Sequence, residues 1–196
     1  KISAQELKDC MRDQYEGTPL DITQGPDAGP WHSKLRYGSL GFQYDSVQYW
    51  FERPIATQQT GWSFVAQMRG YEGAHAGGIL WFGVDDAATS LYVPMYSTIT
   101  AVPECFQEGN GDLYTYSPTS AWWTYNIVAN WAYSKYSAMV PDIQRVQSTW
   151  EDKFNSQIAV IDQQVAAMDQ QQAQKFLTDY SCLQAQESTA AWKELG

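Results

Sequence analysis

Gln59-Thr60-Gly61-Trp62-Ser63-Phe64-Val65-Ala66-Gln67-Met68-Arg69 is the stretch on which the fold turns. Trp62, Phe64, Ala66 and Met68 alternate with Ser63, Val65, Gln67 and Arg69. That is the period of a β-strand, and it predicts one buried face and one more polar face, with the aromatic set inside. Gly77-Gly78 leads into Ile79-Leu80-Trp81-Phe82-Gly83-Val84, a run apolar on both faces, as in a strand covered on both sides. Leu91 to Ile99 continues in the same manner, and Pro94 restricts it to an edge or a bulge. The short connections predict antiparallel pairing. Upstream, Phe42, Tyr44, Val47, Tyr49 and Phe51 favour strand as well.

Helices flank this sheet. Ser3 and Glu6 have capping-box spacing at the start of a helix ending near Asp13, and Ile2 with Leu7 can staple it. Gly25, Pro26, Gly29 and Pro30 predict an irregular loop from Asp21 to Tyr37. Beyond Asn110-Gly111-Asp112 the period changes. Ala121 to Tyr136 reads as a Trp- and Tyr-rich helix capped by Ser117 or Thr119. Pro141 suits the first turn of another helix. Ile143, Val146, Trp150, Phe154, Ile158, Ile161, Val165 and Met168 then form one apolar stripe. A Gln-rich stretch leads to a last helix, which should pair with the long one as a hairpin. The expected class is α+β, with a sheet-rich part at 1–112 and a helical part at 113–196.

Composition narrows the function. The chain has 196 residues, 44% of them apolar, with a net charge of −10. An acidic chain without basic clusters repels phosphate backbones, which argues against nucleic acid as a partner. No apolar run approaches the ~20 residues of a membrane span. Cys10, Cys105 and Cys182 show neither metal-ligand nor redox spacing. Lys1 stands where an initiator Met or a signal peptide would, so an excised segment is expected. Nine Trp and thirteen Tyr fit either a packed aromatic core or an exposed stacking surface.

Met11-Arg12-Asp13-Gln14-Tyr15-Glu16-Gly17-Thr18-Pro19-Leu20-Asp21 is followed by Glu52-Arg53-Pro54-Ile55, Gln58-Gln59-Thr60-Gly61 and Trp81-Phe82-Gly83-Val84-Asp85-Asp86, with Ser90 and Pro94 beyond. In this order the blocks resemble the dipeptidase A family, cysteine peptidases of the N-terminal-nucleophile (Ntn) hydrolase class. The resemblance covers nearly all of this chain but only the middle and later part of the family's length. It implies the four-layer αββα fold, dipeptide substrates, no metal or organic cofactor, and an amino-terminal Cys nucleophile upstream of these residues. Such a thiolate attacks the scissile carbonyl while its own α-amine takes and returns the proton. On that reading the chain alone is inactive. Its uncovered sheet face is expected to be apolar and to support self-association.

Several residues are candidates for roles in such a site. Arg69 ends the clear strand, and related amidases place an Arg at a comparable strand end to order the nucleophile or the oxyanion. It is expected to face the side where the catalytic half docks; the alternative is an ordinary strand-end ion pair. Arg12, Asp13 and Glu16 are candidates for substrate binding, or else brace the turn at Gly17 and Pro19. Asp85 and Asp86 suit turn and capping roles with Thr89 and Ser90. Two further readings come from other classes. One is a non-catalytic carbohydrate- or peptide-binding module with at least three aromatic rings along one groove. The other is a glycoside hydrolase in which Glu52, Asp85 and Glu104 converge at ~5–9.5 Å.

Overall fold

A computed structural model describes residues 1–25, 28–35, 41–50, 53–70 and 73–196. Helix α1 spans Ala4–Met11 and starts as the sequence predicts. Ser3 Oγ accepts from the Glu6 amide at 3.1 Å, and the Ser3 amide donates to Glu6 Oε2 at 2.7 Å. Such a cap is worth ~1 kcal/mol. The staple adds little, because Ile2 and Leu7 both stay exposed.

Strands β1 (Gly41–Tyr44) and β2 (Val47–Trp50) form a separate hairpin. Its two loop residues, Asp45 and Ser46, both have positive φ (47° and 62°). This backbone twist matches that of the paired strands. Strands β3 (Trp62–Met68), β4 (Gly78–Val84) and β5 (Val93–Tyr96) make an antiparallel sheet in the order β3-β4-β5. Val65 lies opposite Trp81, and Trp81 opposite Pro94. Pro94 therefore sits on an edge strand, where its missing N–H costs no ladder bond. A short helix α2, Gly73–Ala76, lies between β3 and β4.

Three helices follow. Helix α3 runs Ala121–Ser134 and α4 runs Tyr136–Val165. Only Lys135, with non-helical φ and ψ of −143° and 56°, separates them. Ser120 occupies the position preceding α3, so neither Ser117 nor Thr119 is its cap. Pro141 falls inside α4, beyond its first turn, because α4 begins earlier than its sequence suggests. Helix α5 is Gln170–Lys193, capped by Asp169, whose side chain accepts the Gln172 amide at 2.8 Å. The Gln-rich stretch is thus the first turn of α5. Tyr180 with Gln157 and Lys153 with Glu187 join α4 and α5 as the expected antiparallel hairpin.

The helices cover one face of the three-stranded sheet. That face carries Ser63, Val65, Arg69, Ile79, Trp81 and Tyr96, all buried. Tyr96 meets Tyr180 of α5 edge-on at 6.1 Å, and Tyr125 of α3 stacks on Trp192 of α5 at 4.8 Å. One apolar cluster joins the strands to all three long helices. The fold class is α+β, as the sequence indicates.

The faces of β3 are reversed from the expectation. Trp62, Phe64 and Met68 are 60%, 44% and 84% exposed, while Ser63 and Val65 are buried. Ile79 and Trp81, in register with Gln67 and Val65, supply the apolar mass that draws the helices to the other side. On the uncovered side Leu80 is also exposed, and Trp62 and Phe64 stack at 5.7 Å. Phe82 is half-buried against Phe106, 5.2 Å away.

Candidate functional site

The Met11–Asp21 block begins where α1 ends. Arg12 is the C-cap of α1 and points into the molecule. Its Nη2 and Nη1 donate to Glu151 Oε1 and Oε2 at 2.5 and 3.0 Å. Its Nε donates to the Ala87 carbonyl at 3.1 Å, and Nη2 also reaches the Ser90 carbonyl at 3.2 Å. Every nitrogen of this guanidinium is engaged within the chain. Glu151 also accepts from the Tyr92 amide at 3.2 Å and from Gln5 Nε2 at 3.1 Å. Burial opposes the Glu151 charge, but Arg12, then Lys8 and Gln5, outweigh it and hold the carboxyl below its ordinary range.

Lys8, one turn earlier on α1, is fully buried. Its Nζ has no hydrogen-bond partner among the described residues and lies 3.5 Å above the Trp81 ring. Burial is the main reason its pKa falls to about 8, with Arg12 adding to the fall and Glu151 and Asp9 opposing it.

Asp13 and Glu16 shape the next turn. Asp13 Oδ1 accepts from the Tyr15 amide at 2.7 Å, and the Asp13 carbonyl accepts from Ala56 at 3.0 Å. Tyr15 takes φ 66°. Glu16 pairs with Lys34 and accepts from the Gln14 amide at 3.0 Å. Asp21 Oδ2 accepts from Gly17, which sits at φ 71°. The positive φ explains why glycine stands there.

Arg69 lies on the helix-covered face, 3% exposed. It forms a bidentate pair with Asp162 of α4, and one nitrogen also donates to the Ala76 carbonyl. Tyr96 Oη donates to Asp162 Oδ1 at 2.8 Å. Burial works against the Arg69 charge, yet Asp162 raises its pKa on balance. The expectation that this side of the sheet receives a catalytic half does not hold, because α4 fills it. Here the strand-end ion pair is with a residue 93 positions away.

Asp85 and Asp86 directly follow β4. Asp86 caps the 3-10 turn Ala87–Thr89, accepting from the Ala88 amide and Thr89 Oγ1, both at 3.1 Å. It also accepts from Tyr133 Oη at 2.6 Å. Asp85 has φ 64° and accepts from Asn126 Nδ2 at 2.9 Å. Burial pushes its pKa up to about 6, with Asp86 adding to the rise. A buried acid in a sparsely populated backbone conformation is a common property of functional sites. Of the glycosidase acids, Glu104 is exposed while Asp85 is buried. Glu52 lies outside the described residues.

None of the three cysteines is hydrogen-bonded to a histidine among the described residues. Cys10 is exposed on α1. Burial raises the pKa of the Cys105 thiol and of the Cys182 thiol. A raised thiol pKa is the reverse of what an activated nucleophile requires. Among the described residues no three His, Cys, Asp or Glu are grouped to hold a metal ion, and no helix is long and apolar enough to cross a membrane.

Sequence reasoning missed Lys8, Glu151 and Asp162. The two acids carry a signal, since Gln147, Glu151 and Asp162 fall in phase with the apolar stripe of α4 and are buried with it.

The family model of peptidase family C69 matches residues 1–149. The chain belongs to that family. These are cysteine peptidases, and the match takes in α1, the whole sheet, α3 and the first half of α4. No curated protein matches the chain.

Proposed function

We propose that this C69 chain forms part of a cysteine dipeptidase of the Ntn class, and that the nucleophile is none of Cys10, Cys105 or Cys182. The observation that carries this reading is the surroundings of those cysteines. Two have thiols raised by burial, and none bonds to a base among the described residues. The attacking group is then an amino-terminal Cys outside residues 1–196, with its own α-amine as base.

The uncovered sheet face supports the same reading. Trp62, Phe64, Ala66, Met68 and Leu80 are exposed there with no polar side chain among them on the two strands. A second sheet packed on that face would complete the four-layer arrangement. A sugar- or peptide-binding platform would need hydrogen-bonding groups beside its rings to orient the ligand. The absence of polar side chains from this strip favours packing over recognition.

In this reading Arg12, Glu16 and Arg69 position the scaffold and do not touch the dipeptide. Hydrolysis of dipeptides by residues 1–196, and by a longer gene product carrying an amino-terminal Cys, tests the proposal. Turnover is expected only from the longer product.

A further inference from the structure

The two edges of the three-stranded sheet are treated differently. The Arg69 amide donates to the Gly77 carbonyl, and the Asp85 amide to the Gly61 carbonyl. With the β3–β4 register, these bonds make the odd-numbered residues of β3 the ones bonded to β4. The N–H and C=O groups of Trp62, Phe64, Ala66 and Met68 therefore point away from the sheet. At the opposite edge the Ser97 amide donates to Gly78. By the same alternation, the backbone nitrogens of Tyr92, Pro94 and Tyr96 point outward there.

The β5 edge is closed at each of these positions. The Tyr92 amide donates to Glu151 Oε1 at 3.2 Å, and the Tyr96 amide to Ser181 Oγ at 3.3 Å. Pro94, between them, has no N–H to offer. The β3 edge has no such device. Among the described residues, nothing bonds to the outward backbone groups of Trp62, Phe64, Ala66 or Met68. Their side chains are exposed, and the seven residues of β3 include neither a charge nor a proline. An exposed apolar edge without either is a template for another strand.

We propose that β3 pairs antiparallel with β3 of a second copy of this chain, about a two-fold axis at Val65. One register puts all the outward residues into bonded pairs. It sets Trp62 of one copy opposite Met68 of the other, and Phe64 opposite Ala66. Paired residues share a face, so each large ring meets a smaller or more pliable side chain. Trp62 against Met68 is also a favourable sulfur–aromatic contact. Residues 54–68 hold no charge in a chain of net charge −10, so two copies meet here without opposing carboxylates.

The area involved sets the strength. Trp62, Phe64 and Met68 from both copies, at roughly 100 Å² of exposed surface each, bring ~600 Å² of apolar surface to the junction. The paired backbones add to it. A contact of this size falls below the ~1,200 Å² of stable interfaces, so the dimer should dissociate on dilution. It leaves the exposed face of the sheet open and doubles its width.

Sedimentation equilibrium of residues 1–196, up to about 1 mM chain, tests the pairing together with amide hydrogen exchange. A dimer should form, and exchange at Phe64 and Ala66 should slow as its fraction grows. Ala66→Pro removes an outward N–H without touching the β4 ladder and should weaken the dimer at least about tenfold. Ala66→Glu, which brings carboxylates together across the axis, should do the same, and carries the test if melting curves show the proline variant unfolded. Leu80→Ser, on the exposed face of the central strand, should leave the dimer unchanged. A chain that stays monomeric would overturn the proposal. So would a dimer that resists a folded Ala66 variant, one lost in Leu80→Ser, or one whose formation leaves exchange at Phe64 and Ala66 unaltered.

Discussion

Arg12 and Glu151, 139 positions apart, face each other through two hydrogen bonds of 2.5 and 3.0 Å. The pair fastens the end of α1 and the β4–β5 connection to the middle of α4. Breaking a buried pair leaves the surviving charge without a partner, which typically costs ~3–5 kcal/mol. Arg12→Met should lose stability of that order in urea unfolding at neutral pH. A loss below about 1 kcal/mol would place the pair among exposed salt bridges.

The same pair sets an acid dependence. The folded Glu151 carboxyl is held below its ordinary value, so its contribution is present above the unfolded pKa and disappears as pH falls through the folded one. The stability gap between wild type and Glu151→Gln should therefore narrow in acid. A gap independent of pH would contradict this.

Lys8 predicts the opposite end of the scale. Its folded pKa is about 8 against an ordinary 10.5, so the unfolded chain binds the proton more tightly. Stability contributed by this residue should rise as pH climbs from about 8 towards the ordinary lysine value. Lys8→Met, which keeps the length and removes the charge, should abolish that rise in urea midpoints. An unchanged alkaline profile in the variant would mean that Lys8 keeps its proton in the folded chain.

Asp85 has a folded pKa of about 6, raised chiefly by burial from 3.8. Its contribution is most favourable below the unfolded value and is lost as pH rises through about 6. Asp85→Asn should therefore raise Tm at neutral pH and have little effect in mild acid. Asn tolerates the left-handed backbone at this position. Equal shifts at both pH values would assign the change to packing.

The uncovered sheet face gives a solution prediction. Trp62→Ser with Phe64→Ser should reduce self-association across a dilution series in sedimentation, with little loss of stability, because both side chains are exposed. Large destabilisation of a monomeric variant would show that the face is already packed within the chain.

Local signals in the sequence were legible where they acted alone. The Ser3 and Glu6 cap, the three strands of the sheet and the edge position of Pro94 all follow from residue type and spacing. The sidedness of β3 did not. Alternation says that two faces differ, but which one is covered depends on β4 and on helices more than fifty residues away. Arg69 looked like the polar rim of a strand because Asp162, which neutralises it, lies far along the chain. Lys8 was hidden for a similar reason, since only the fold places Trp81 beneath it. The candidate site was legible as blocks of sequence, while the engagement of Arg12 by Glu151 required the tertiary structure.

Dipeptide hydrolysis by residues 1–196 and by their triple variant Cys10→Ala, Cys105→Ala, Cys182→Ala tests the central claim most directly. Neither should turn over dipeptides, whereas a longer gene product with an amino-terminal Cys should, and should lose activity when that Cys becomes Ala. Turnover by residues 1–196 would contradict the account. If it vanished in the triple variant the nucleophile would lie within this chain, and if it persisted the chemistry would not be that of a cysteine peptidase.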